Sequence, residues 1–151
     1  DKYEDVTELA PWSYSAEYIF AVTMFANPLG WFESSGLKEE TVSTYNKMLE
    51  IHKSIRKDLD KGVILPIGNR PDGYSWTGFQ CVLEDSGYLL LFRENSKEDC
   101  FRYALHGIGD ATLCFEELCS DGDAKFSYNQ EGLEISMSKP RSFVLLKYVI
   151  Q

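Results

Sequence analysis

Residues 69–80 read Asn-Arg-Pro-Asp-Gly-Tyr-Ser-Trp-Thr-Gly-Phe-Gln. Asn69, Asp72, Tyr74 and Trp76 combine flat aromatic faces with planar hydrogen-bonding groups, the pairing that a carbohydrate surface uses. The same residues also suit an ordinary turn, Pro71-Asp72-Gly73, running into a strand. A Trp on a strand of a sandwich serves the core more often than it serves a sugar. Trp76 and Phe79 point to opposite faces of that strand. On a sheet with one covered face, Phe79 in the core leaves Trp76 facing a neighbouring domain or a ligand.

Other chemistries find less support. Hydrolysis of a glycoside needs two carboxylates ~5–9.5 Å apart on a rigid scaffold. The acids here cluster in turns, at Glu84-Asp85, Glu94, Glu98-Asp99, Asp121 and Asp123, where they favour the turn itself. Glu116 and Glu117 are neighbours on a strand and point to opposite faces. His52 falls on the apolar side of a helix without a Ser or Cys nucleophile motif, which fits a satisfied, partly buried histidine. The four cysteines form no CxxC pair and only two histidines exist, so zinc is not expected. Cys81 and Cys114 lie in apolar stretches and read as small core residues. Gly107-Ile108-Gly109-Asp110 precedes a strand rather than a helix, so it reads as a hairpin loop and not a dinucleotide loop. No cofactor is expected.

The formal net charge is −9 over 151 residues. Without a basic stripe this disfavours nucleic acid, and an anionic membrane surface is disfavoured for the same reason. No apolar run is long enough to span a bilayer. Neutral sugars and protein surfaces remain as partners. The polar, uncapped first residues look like part of something longer, so the compartment is left open.

The hydrophobic period changes near Gly62. Residues 1–62 form a helical segment and residues 63–151 an antiparallel β domain. Ser15–Ala26 reads as a buried helix stopped by Asn27-Pro28, followed by Leu29-Gly30-Trp31-Phe32 as a short buried strand. Leu37–Lys61 reads as an amphipathic helix, with Val42, Tyr45, Leu49, His52, Ile55 and Leu59 on its apolar face. Glu39 and Glu40 at its start and Lys57 and Lys61 at its end suit the helix dipole. Eight strands follow at short spacing: Val63–Ile67, Trp76–Leu83, Gly87–Glu94, Cys100–Leu105, Ala111–Leu118, Ala124–Tyr128, Leu133–Met137 and Ser142–Ile150. Polar turns such as Glu84-Asp85-Ser86-Gly87 and Asn129-Gln130-Glu131-Gly132 separate them. The expected fold class is mainly β, an antiparallel, Greek-key-like β-sandwich of about eight strands.

The order of these pieces resembles the C-terminal region of melibiase-type, α-galactosidase-like glycoside hydrolases. Residues 17–33, Glu-Tyr-Ile-Phe-Ala-Val-Thr-Met-Phe-Ala-Asn-Pro-Leu-Gly-Trp-Phe-Glu, look like the last strand of a β/α barrel with the helix before it. Leu37–Lys61 looks like the barrel's final helix. Residues 75–80, 87–94 and 142–150 look like sandwich strands. The family's catalytic aspartates lie on earlier barrel strands that have no counterpart here, so the resemblance gives this chain no catalytic residue. It implies an accessory role beside a retaining glycosidase barrel, in carbohydrate metabolism, with Asn27, Trp31, Asp72, Tyr74 and Trp76 as the residues to contact sugar. An independent carbohydrate-binding module or a non-catalytic interaction domain is the alternative, since a sandwich alone does not fix function.

Overall fold

The computed structural model describes residues 7–29, 36–109 and 111–151. Trp31 and the expected strand at 29–32 fall wholly or largely outside them. Two helices, α1 (Ala16–Ala21) and α2 (Glu39–Leu59), precede eight strands. The strands are β1 (Val63–Gly68), β2 (Trp76–Val82), β3 (Ser86–Arg93), β4 (Cys100–Tyr103), β5 (Leu113–Ser120), β6 (Lys125–Asn129), β7 (Gly132–Ser136) and β8 (Ser142–Ile150).

Helix α1 begins at Ser15, whose hydroxyl accepts from the Tyr18 amide at 3.0 Å, an N-cap bond. It stops at Ala21, well short of the expected Ala26. Val22 and Thr23 explain this. The Thr23 hydroxyl donates to the Phe20 carbonyl at 2.9 Å, and the Thr23 amide reaches the same carbonyl at 3.1 Å. Such side-chain competition tightens the last turn toward 3₁₀ geometry.

Helix α2 runs close to its expected length, but its buried stripe is Met48, His52, Ile55 and Leu59. Val42 and Leu49, expected on that face, are exposed. The stripe passes through Met48 because 48, 52, 55 and 59 keep the three-to-four-residue step with less drift than 49 allows.

The strands form two antiparallel sheets, ordered β1-β2-β3-β8-β5 and β4-β7-β6. The five-stranded sheet lies between two apolar cores. On one side Tyr88, Leu90, Phe92, Phe143 and Leu145 pack with Tyr18, Met24, Met48 and Ile55 of the helical layer. On the other, Leu89, Leu91, Val144 and Leu146 pack with Tyr103, Leu133, Ile135 and Met137 of the three-stranded sheet. The register Leu90↔Leu145 and Leu89↔Leu146 sets this division, because neighbours along a strand face opposite ways. It also explains why β3 and β8 are apolar almost throughout: both of their faces are covered. Each fully buried Leu contributes about 1.5–3 kcal/mol.

Polar ties fasten the helical layer to the sheet. The Tyr88 hydroxyl donates to Asp58 at 2.8 Å, and the Ser15 hydroxyl donates to Asp121. Asp121 also accepts the Phe143 amide at 2.9 Å. His52 Nδ1 lies 3.1 Å from the Met24 carbonyl, so the buried imidazole is a satisfied clasp between α2 and the turn after α1.

Cys81 is buried as expected, but Cys114 is exposed. Strand β5 is an edge, and Cys114 pairs with the exposed Val149 on the side that faces the helices, beyond their cover. A β-bulge between Glu117 and Cys119 reverses the facing of the strand. Cys119 therefore enters the core beneath the helices. Burial pushes the Cys81 thiol up to about 11 and the Cys119 thiol up to about 12.

Candidate functional site

The 69–76 segment is the turn joining β1 to β2. Its organiser is Glu94, just past β3. One carboxylate oxygen of Glu94 accepts the backbone amides of Asp72, Gly73 and Ser75 at 3.2, 2.9 and 3.1 Å. Gly73 has φ +87°, which its lack of a Cβ permits. Asp72 accepts the Tyr74 amide at 2.9 Å, and that bond first, with Ser75 second, lowers its pKa. The Tyr74 hydroxyl donates to Glu8 at 2.7 Å, which raises its pKa. Asp72 and Tyr74 thus sit on the surface and are engaged in holding the turn.

Trp76 is 2% exposed. It lies in the core between the two sheets, and its indole N–H donates to the Glu98 carbonyl at 3.0 Å. Its ring stacks on Phe101 at 6.1 Å with an interplanar angle of 10°. The expectation of Trp76 facing a sugar or a neighbouring domain therefore fails, and so does its premise. The five-stranded sheet has two covered faces: Trp76 takes the sandwich side and the half-buried Phe79 the helical side. Asn27 is exposed in the helical layer. The candidate residues that the structure describes do not converge on one place.

A different set does converge. The free edges β1 and β4 face each other across the sandwich, and between them lies a groove of about 380 Å³ lined by Pro66, Gly68, Asn69, Phe101, Arg102 and His106. Strand β1 closes on β4 because Gly68, at φ +80°, leaves room for Tyr103: a Cβ there would come 2.6 Å from the Tyr103 ring. The Tyr103 hydroxyl donates to the Thr77 carbonyl at 2.9 Å. Phe101 stacks on Trp76 and meets Tyr103 edge to face, its ring centroid 4.8 Å away. His106 is positioned by Gln80, which is wholly buried. The Gln80 side chain accepts the His106 amide at 2.7 Å and donates to the His106 carbonyl at 3.0 Å. His106 Nε2 then reaches the Pro66 carbonyl at 3.4 Å.

Arg102 brings no free charge to this groove. Its guanidinium donates to Glu134 at 2.6 Å and to Glu131, and Glu134 first, then Glu131, raises its pKa. Among the described residues no group of three or more His, Cys, Asp or Glu is placed to hold a metal ion. No helix among them is long and apolar enough to cross a membrane.

Of these lining residues, only Asn69 stood out in the sequence as a sugar candidate. The alternation of Cys100 and Arg102 against Phe101 and Tyr103 was legible. The meeting of β4 with β1 was not, because it depends on which sheet each strand joins. The loop at 107–109, expected to close a hairpin, instead carries the chain from β4 in one sheet to β5 in the other. Compared with family models, curated proteins and solved structures, the chain gives no significant match.

Proposed function

We propose that this chain is a C-terminal accessory β-sandwich of an α-galactosidase-like glycoside hydrolase, packed beside the catalytic barrel and stabilising it. One observation carries this reading. The helical layer leaves large apolar side chains in solvent: Trp12 is 58%, Ile19 40%, Val22 57% and Leu29 83% exposed. Val42 and Leu49 of α2 are exposed as well, whereas the strands expose fewer, Val63 and Ile64 at the β1 edge and Val149 near the end of β8. Apolar residues gathered on one layer suit a protein contact, and this is the layer that resembles the end of a barrel. The barrel would supply both carboxylates of a double-displacement mechanism, and this chain would supply none.

Two measurements test it. The coding sequence on the upstream side is expected to encode an eightfold β/α barrel with aspartates at two strand ends; an unrelated domain there overturns the reading. The chain alone is expected to leave aryl α-galactosides intact. Turnover that disappears when one of its own acidic residues is replaced would equally overturn it.

A further inference from the structure

We infer that the groove between β1 and β4 is a binding site for a neutral hexopyranoside. The proposal stands on the groove alone and holds whether or not a barrel precedes this domain.

The two seams of the sandwich differ. Along β5 and β6, Phe115 packs against Phe126 and Tyr128 with ring centroids 5.8 and 5.9 Å apart, and the cavity left beside Tyr128 is the smaller one, at about 230 Å³. Along β1 and β4 the space stays open, at about 380 Å³. That is near the lower end of the roughly 300–1,000 Å³ of small-molecule sites. Its lining joins an aromatic side chain, Phe101, to a carboxamide, Asn69, and an imidazole, His106. Among the described residues the Asn69 side chain takes no intramolecular hydrogen bond, so both its donor and its acceptor remain for vicinal hydroxyls. An aromatic ring against the apolar face of a pyranose, with planar polar groups at its rim, is the complement such a ligand needs.

Two other ligand classes fit less well. An anion would want a free cation, and Arg102 is already matched by Glu131 and Glu134. An extended peptide would add to the β1 edge by backbone pairing. The Asn69 amide bonds the Trp76 carbonyl, so Asn69, Ile67 and Leu65 turn their backbone groups inward to β2 while Pro66 and Gly68 turn theirs outward. Pro66 has no N–H to offer there, and its carbonyl is taken by His106.

The test is ¹⁵N-resolved NMR of the whole chain, titrated with methyl galactoside, methyl glucoside, methyl mannoside and galacturonate to about 100 mM, a range that reveals a millimolar site. The expected result is a saturable shift of amide signals in 66–69 and 101–106 with at least one methyl hexopyranoside. The double variant Asn69→Ala/His106→Ala replaces two exposed side chains and should keep the folded spectrum while weakening binding at least tenfold. Phe101→Leu, which keeps the apolar packing and removes the ring, should weaken it similarly and serves if the double variant does not fold. Absence of shifts with all three methyl glycosides, shifts elsewhere in the chain, or unchanged affinity in the folded variants would overturn the site. Tighter binding of galacturonate than of every neutral glycoside would overturn the ligand class.

Discussion

Along the β5/β6 side of the sandwich, Phe115, Phe126 and Tyr128 meet ring to ring. Along the β1/β4 side, Phe101 and Tyr103 are drawn inward onto Trp76, and Asn69, Arg102 and His106 are left around an opening. Both sides close the same pair of sheets and both use aromatic residues. They differ in where the aromatics rest. On the β5/β6 side they cap the seam and leave the smaller cavity, about 230 Å³. On the open side they are bonded from behind, by Glu98 to Trp76 and by Thr77 to Tyr103, so the seam is floored and not sealed. Apolar burial therefore holds the first seam, and a framework of directional bonds holds the second.

That difference is open to attack by substitution. Phe115→Ala should have the largest effect, lowering stability by about 2–3 kcal/mol, less than the ~3–5 kcal/mol of a fully buried Phe because the ring is half-buried. Urea unfolding reads this directly, and a loss below about 1 kcal/mol would mean that the rings do not carry that seam. Gln80→Ala comes next, at about 1–2 kcal/mol, since it strips the His106 backbone of both its partners. Its distinguishing sign is local: amides at 104–109 should exchange faster with solvent while those of β8 keep their protection. Equal loss of protection in both would show that Gln80 supports the whole sandwich and not the groove. His106→Ala should change stability least, within about 0.5 kcal/mol, as an exposed side chain held by one long contact. A larger loss would make His106 a structural bracket of the seam.

The strands were readable because turns and alternation announce them locally. Ser142–Ile150 was expected at the bounds the structure shows, and the other strands fall within two residues of theirs. The amphipathic character of α2 was readable too, and so was the satisfied burial of His52. The facing of single residues was harder. Cys114 looked internal because its neighbours are apolar, yet helical cover stops short of it, and a bulge gives its place in the core to Cys119. A core place for Trp76 is the commoner reading of a strand Trp, but its facing stays open in the sequence, because a strand does not say whether one or both faces of its sheet will be covered. The groove was the least legible feature of all. Its walls come from segments about 35 residues apart that meet only through sheet order.

Strand β8 lies between β3 and β5, near the middle of the larger sheet, although residues 142–150 come after every other strand in the chain. On a ribosome, β1, β2 and β3 emerge first and can form their meander, but one flank of β3 stays bare until residues 142–150 appear. Strand β5 meanwhile has no partner at all. Domain closure must therefore wait for the late synthesis of β8, and contacts of such long sequence separation slow folding. Until then the naked flank of β3, Tyr88 to Phe92, is the stretch of nascent chain most in need of a chaperone's shelter.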